Sequence, residues 1–418
     1  MMRALYSLVV TAAQPFLRRK LVRRGAAEPG YLQAIDERFG RYAKPAQPAA
    51  IWIHAVSLGE TRAAGILIDE LRRLKPDVRI LLTHGTATGR AEGERWLRPG
   101  DEQSWLPWDT PQAVKRFLLH YQPAIGVLME TEIWPNLVAC ARAHGVPLVL
   151  ANARMSAKSL AGTRRLAWLS RPAYQALGAV WAQTQSDAQR LAQAGATVTD
   201  IFGNLKFDAA PDEAMLERGR KWRATSDRPV VMFASSREGE EAQLLRALAA
   251  RKPSGQQVQW LIVARHPQRF DEVAALVKQA GLSVSRRSEW GAQPAPADVW
   301  IGDSLGEMTL YYGMADVALL GGSFEPLGGQ NLIEAAACGC PVVMGLHTFN
   351  FAQAAELAQE AGAALRVNDM NEGVERAIAL CLDPAQRARV AVAARSFAAS
   401  HKGAAGKTAA AVLALLPS

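Results

Sequence analysis

Ala50-Ile51-Trp52-Ile53-His54-Ala55-Val56-Ser57-Leu58-Gly59-Glu60-Thr61-Arg62 reads as an apolar strand, a sharp turn eased by glycine and the approach to a helix expected from about Ala63 to Leu74. Outward from it the same alternation continues. Strand-like runs fall at Val78 to Thr83, Ala124 to Met129, Val146 to Ala151, Val180 to Gln183 and Val198 to Gly203, most of them separated by helical patterns. Such alternation predicts parallel strands joined by crossover helices, with helices on both faces of the sheet. A second series follows at Pro229 to Ala234, Gln259 to Ala264, Val299 to Gly302, Val317 to Leu320 and Pro341 to Met344. Between them Gly203-Asn204-Leu205-Lys206-Phe207-Asp208, then Pro211, punctuates the chain as a linker would. The expectation is an α/β chain of two Rossmann-like doubly wound domains, residues 31–208 and 209–418, after an amino-terminal segment 1–30. The two domains are expected to face a central cleft between the carboxyl ends of their strands, where ligands would bind.

A chain of 418 residues that is 49% hydrophobic has enough apolar surface for two cores, and a mainly disordered chain is excluded. Cys140, Cys338, Cys340 and Cys381 lack metal-ligand spacing and read as small buried residues in a reducing compartment. No metal site is indicated. The net charge of +9 favours acidic partners without choosing among them. A nucleic-acid binder would need a basic stripe or a recognised module, and neither is present. Repeats, low-complexity tracts and heptads are also missing.

The amino terminus is more selective. Ala4 to Leu17 is largely apolar but short of the ~20 residues that a perpendicular membrane span requires. Arg18, Arg19, Lys20, Arg23 and Arg24 follow it, the reverse of the charge order in a secretory signal. Apolar area together with basic charge predicts docking on an anionic membrane surface, against the plainer reading of an amphipathic helix with a solvated face.

Several strand-end motifs can carry chemistry. Glu60 lies at a helix start, where a carboxylate either accepts a proton from a bound hydroxyl or complements the helix dipole. Because the turn lacks GxGxxG, a dehydrogenase is disfavoured. Met129-Glu130-Thr131-Glu132-Ile133-Trp134-Pro135-Asn136 closes another strand with two carboxylates that either orient a polar substrate or cap a helix. In the second half, Arg265 offers a planar fork to phosphate and His266 a hydrogen-bond donor, with Pro267 after them. Gly306, Glu307 and Met308 form a further strand-to-helix turn. The run Gly321-Gly322-Ser323-Phe324-Glu325-Pro326-Leu327-Gly328-Gly329-Gln330-Asn331-Leu332-Ile333-Glu334 is glycine-rich and enters a helix, which suits close approach of backbone N–H groups to anionic oxygen. Glu334 is placed to accept from ribose hydroxyls.

Taken together, His54 to Glu60, Met129 to Asn136, Ala264 to Pro267 and Gly321 to Ala337, in this order, resemble the 3-deoxy-D-manno-octulosonic acid (Kdo) transferase family. The likeness extends to the apolar-then-basic start and to Glu37-Arg38-Phe39-Gly40. The resemblance implies an inverting, metal-independent GT-B glycosyltransferase without a cofactor, moving Kdo from CMP-Kdo to the tetraacyl lipid A precursor (lipid IVA). It further implies a place on the cytoplasmic face of the bacterial inner membrane, peripheral or anchored by the amino terminus. Glu60 would be the general base, and Glu130 with Lys206 would stabilise the transition state. CMP would be bound by His266, Pro267, Gly306, Glu307, Met308, Asn331, Leu332, Ile333 and Glu334, with Arg265 and Ser323 beside them. Where the family carries Ser-Thr-His before Glu-Gly, this chain has Ser235-Ser236-Arg237-Glu238-Gly239, so that Arg237 supplies the positive charge. The alternatives are a GT-B transferase or epimerase using a UDP-sugar, and a membrane-bound sugar-binding protein without catalysis.

Overall fold

The computed structural model describes residues 2–251 and 257–416. Residue 1 of the expected amino-terminal segment, and residues 252–256 and 417–418 of the domain expected at 209–418, lie outside the described residues. The chain divides into two compact units: everything up to Asp208 joined by the residues from Lys402 on, and Ala209–His401.

In the first unit the strands are β1 (Ile51–His54), β2 (Ile80–His84), β3 (Glu102–Trp105), β4 (Ile125–Met129), β5 (Leu148–Ala153), β6 (Ala179–Ala182) and β7 (Asp200–Ile201). They form one parallel sheet in the order β3-β2-β1-β4-β5-β6-β7. The chain winds outward from β1 and returns to the other side of it at β4, so the strand order reverses between β1 and β4. That reversal parts the loops at their carboxyl ends and makes a crevice there. β1, β2, β4 and β5 are buried throughout because helices cover both faces. Trp52 faces one core with Phe117 and Leu150, while Ile51 and Ile53 face the other with Leu67 and Ile68, the alternation that a strand's pleat imposes.

The second unit holds β8 (Val230–Ser236), β9 (Gln259–Ala264), β10 (Val284–Arg286), β11 (Val299–Ile301), β12 (Val317–Leu320), β13 (Val342–Met344) and β14 (Ala364–Arg366). Their order is β10-β11-β9-β8-β12-β13-β14, again parallel, with the reversal between β8 and β12. Two doubly wound domains in one chain are the GT-B content that the sequence predicted.

One boundary differs from that expectation. The residues from Lys402 on belong to the first unit and not to the second. The helix Ala404–Ala414 buries Ala404, Ala405, Ala409 and Val412 in the core shared with the Leu58–Leu74 helix, which small side chains permit at close range. Asp208 fixes its start by accepting from the backbone N–H groups of Gly403 and Ala405. The amino terminus forms two helices, Met2–Ala12 and Gln14–Ala27. Among the described residues no helix is long and apolar enough to cross a membrane.

Candidate active site

The helix after β1 starts at Leu58, earlier than the periodicity indicated, because Ser57 caps it: the Ser57 hydroxyl accepts the Glu60 N–H at 3.3 Å. Glu60 therefore sits in the first turn and reaches back over the loop. Its Oε2 accepts the Val56 N–H at 2.9 Å and its Oε1 accepts the Ser57 hydroxyl at 2.9 Å. These bonds fix both carboxylate oxygens beside the reversal of strand order. Burial raises the Glu60 carboxyl to about 7; Glu130 and Glu132 push the same way, while the Val56 and Ser57 bonds oppose.

Glu130 follows β4 and so stands on the other flank of the same crevice. Its backbone is in the left-handed region at φ 56°, unusual for a side-chain-bearing residue and held by bonds from Glu130 N–H to Ala151 and from Arg154 N–H to Glu130. At 8% exposure its carboxylate is paired rather than solvated: the Lys206 ammonium donates to Oε1 at 3.1 Å, and the Arg154 guanidinium lies 3.6 Å from Oε2. Lys206 is brought there by the loop after β7, where the Asn152 side chain accepts the Leu205 N–H. Burial raises the Glu132 carboxyl, which accepts from the Trp134 indole at 3.0 Å.

The Glu130–Asn136 loop is also tied to the amino terminus. Buried Asp109 accepts the N–H groups of Asn136 and Leu137 at 3.0 and 2.7 Å, acting as the missing cap of the Pro135–Ala143 helix. The same carboxylate accepts the Tyr6 hydroxyl at 2.9 Å, and Ser7 donates to Asn136 at 2.9 Å.

In the second unit the loops after β8, β9, β11 and β12 assemble at the carboxyl ends. Arg265 N–H donates to Ser236 at 3.0 Å and its Nε to Gln330 at 3.1 Å, tying the β9 loop to the glycine-rich run. Burial lowers the His266 imidazole, and Arg237 and Arg265 lower it further, so its neutral form is favoured. Glu307 accepts from Arg287 at 2.8 Å, and Met308 Sδ is 4.0 Å from the Ser235 hydroxyl. Gly322 adopts φ 70°, and a Cβ on Gly321 would lie 2.2 Å from the Ser235 carbonyl oxygen, so the β12 turn requires glycine to pass the β8 turn.

Not every predicted contact residue offers its side chain. Ser323 is fully buried, donating to Leu320 at 2.5 Å and accepting the Gly345 N–H at 2.8 Å, so its hydroxyl builds the loop. Leu332 and Ile333 are 1% exposed and contribute core packing. Asn331 caps the Leu332–Ala337 helix by accepting the Ile333 N–H, with half-buried Glu334 in its first turn. The motif reading missed Arg154, Glu240 and Gln330; Glu240 is fully buried yet accepts from Arg237, Gly322 and Phe324, a function visible only in three dimensions. Among the described residues no group of His, Cys, Asp and Glu is arranged to hold a metal ion.

Residues 33–209 match the family described as 3-Deoxy-D-manno-octulosonic-acid transferase (kdotransferase). A 3-deoxy-D-manno-octulosonic acid transferase of Bordetella pertussis is 47% identical over 422 residues, 97% of this chain and 97% of the relative. Another from Haemophilus influenzae is 33% identical, over 92% of this chain and 91% of the relative. The crystal structure of Anabaena HepE in complex with UDP covers 88% of this chain and 100% of that one at a TM-score of 0.59 and 16% identity, a likeness of fold alone. The motifs of this chain, its two doubly wound units and its 47% identity to the Bordetella protein over 97% of its length agree: the chain belongs to the 3-deoxy-D-manno-octulosonic acid transferase family.

Proposed function

We propose that this Kdo transferase is an inverting glycosyltransferase that moves Kdo from CMP-Kdo to the tetraacyl lipid A precursor, with Glu60 as general base. The observation that carries the proposal is the Glu60 carboxyl, oriented by two hydrogen bonds and raised to about 7, where a group near neutrality is both populated as the base and strong enough to take a proton. In the reaction the acceptor hydroxyl oxygen attacks the anomeric carbon of Kdo from the face opposite the nucleotide. Glu60 takes the hydroxyl proton, the bond from the anomeric carbon to the phosphate oxygen breaks, and CMP leaves with that electron pair. Lys206, held by Glu130, offers fixed positive charge to the developing anion without reorganisation.

The donor nucleotide belongs to the second unit, with Arg265 and His266 toward phosphate, the Pro267 and Gly306–Met308 turns framing it, and the Asn331–Glu334 helix start toward ribose. Ser323, Leu332 and Ile333 shape this cradle from within the core. The proposal assigns charge compensation to protein cations and requires no metal or cofactor. It places the protein on the cytoplasmic face of the inner membrane, docked by exposed Leu5, Leu8, Val9 and Phe16 and by the Arg18–Arg24 cluster.

The test is mass spectrometry of the lipid product after incubation of the purified chain with CMP-Kdo and lipid IVA in EDTA. A product heavier by Kdo, with release of CMP, is the expected outcome. Activity that appears only with a UDP-sugar, or only after divalent metal is restored, would overturn the donor or the metal-free assignment respectively.

A further inference from the structure

The Glu37-Arg38-Phe39-Gly40 segment takes no part in the transfer chemistry described above, yet it places a guanidinium at 4% exposure inside the first unit. That is an expensive location for a charge. The hydrogen bonds of the neighbouring carboxylate go elsewhere: Glu37 acts on Arg38 only through space, and its Oε2 accepts from Arg90 at 2.7 Å and from the Trp105 N–H at 2.9 Å. Arg38 is solvated instead by aromatic faces, lying 3.9 Å from the centre of the Trp105 ring and 5.7 Å from Trp108. Its buried Nε is without a hydrogen-bond partner. An apolar side chain of similar length would fill the same volume at lower desolvation cost, so packing alone does not account for the cation.

What the guanidinium holds is a turn. Arg38 Nη2 donates to the Gly85 carbonyl oxygen at 3.0 Å. The Gly85–Thr86 turn in turn grips one atom, the Val56 carbonyl oxygen, through Gly85 N–H at 3.2 Å, Thr86 N–H at 3.0 Å and the Thr86 hydroxyl at 2.9 Å. Val56 is the residue whose N–H holds Glu60 Oε2 at 2.9 Å. The Gly85 carbonyl and the Thr86 N–H belong to one peptide group, so a cation on its oxygen strengthens the bond that its N–H makes to Val56. The turn also lies close against the loop it grips, since a Cβ on Gly85 would meet the Val56 side chain at 2.6 Å.

We propose that Arg38 is a positioning residue for the transfer reaction, fixing the Glu60 carboxylate through the Gly85–Thr86 turn and the backbone on both sides of the Val56 Cα. The proposal rests on Glu60 being the base. It follows that removing the guanidinium loosens the oxygen that must meet the acceptor proton and leaves the second unit's nucleotide cradle untouched.

The experiment is a double-mutant cycle on the full chain, reading kcat and the donor KM with CMP-Kdo and lipid IVA. Arg38→Met is expected to lower kcat roughly 10-fold, part of the ~100-fold that a 1 Å misplacement can cost, with the donor KM within about 2-fold. In a Glu60→Gln background the same change should cost less than about 2-fold, because no base remains to be positioned. An equal loss in both backgrounds would assign Arg38 a general structural role and overturn the proposal. If Arg38→Met does not fold, Thr86→Val decides the matter. That variant removes one of the three bonds to Val56, and its smaller kcat loss must likewise vanish in the Glu60→Gln background. Near-normal turnover of Glu60→Gln by itself would instead remove Glu60 as the base, an outcome distinct from additivity.

Discussion

Glu60 and Glu240 occupy matching places in the two units and have opposite fates. Each stands in the first turn of the helix that follows the strand at the reversal of strand order, and each reaches back to a backbone N–H of the preceding loop, Val56 for one and Arg237 for the other. Glu240 then spends its remaining capacity on Gly322 and Phe324 N–H and is completely buried. Glu60 accepts only local donors, is half-buried and faces two further carboxylates. On the proposed role of Glu60, one topological position serves chemistry in the first unit and loop construction in the second. The difference lies in how many internal donors saturate the oxygens.

The sharpest way to break this contrast is to neutralise the first carboxylate. Glu60→Gln should lower kcat by ~100-fold or more, the span of general-base catalysis, with the fold intact by circular dichroism. In the parent chain, log kcat/KM should rise with pH up to about 7 and then level off, as the raised carboxyl ionises. The same shift acts on stability. Folded Glu60 titrates at about 7 against an ordinary glutamate value of 4.5, so its contribution is present below pH 4.5 and is lost as pH rises through 7. Denaturant titrations should therefore find Glu60→Gln more stable than the parent above pH 7, with the advantage gone below pH 4.5. A pH-independent difference would mean that the carboxyl is not perturbed by burial.

Glu240→Ala should show the reverse signature. Three N–H groups lose a buried acceptor, which costs roughly 3 kcal/mol of folding stability, since a hydrogen bond to a charged group is worth about 1.5–3 kcal/mol and water refills part of the gap. Because the glycine-rich turn loosens, the donor KM should rise more than kcat falls. If kcat collapsed with stability and KM unchanged, Glu240 would be a chemical residue and the two positions would not differ as described. A smaller effect is expected at the other flank of the first crevice. Lys206→Met should reduce kcat about 10-fold, below the 100-fold loss typical of a transition-state hydrogen-bond donor, because Arg154 still faces Glu130.

How much of this was legible in the sequence depended on burial. Interior strands such as β9 and β12, covered on both faces, appear as continuous apolar runs and were located to the residue. Three strands were not read: β3 with Glu102-Gln103-Ser104-Trp105, β10 with Val284-Ser285-Arg286, and β14 with Ala364-Leu365-Arg366. All three are sheet edges, short and partly polar, and an exposed edge removes the hydrophobic signal while polar residues guard against pairing with other chains. The acidic motifs were visible as strand ends. Spacing does not show their partners: the resemblance alone pairs Lys206 with Glu130, 76 residues away, and Glu240 reaches Gly322 across 82, separations that only the winding of the sheet closes.

The smallest expected effect concerns the Ser235–Gly239 loop, where the chain departs from the motif it resembles. By the resemblance, Arg237 stands where a histidine is expected in the loop whose other end Glu240 anchors, and its guanidinium lies 2.9 Å from Glu238. Part of its charge is answered there, but enough reaches His266 to help keep that imidazole neutral. Arg237→His exchanges a permanent cation for a titrating one and leaves the backbone N–H to Glu240 in place. Turnover should stay within about 2-fold, while the donor KM shifts by roughly 3-fold and acquires a pH dependence between 6 and 8, of the size expected when one partly exposed charge near a phosphate site is softened. CMP binding measured by calorimetry across that pH range would read the effect directly. A flat profile would show that Arg237 does not face the nucleotide, and the second unit's loop would then owe its charge to Arg265 alone.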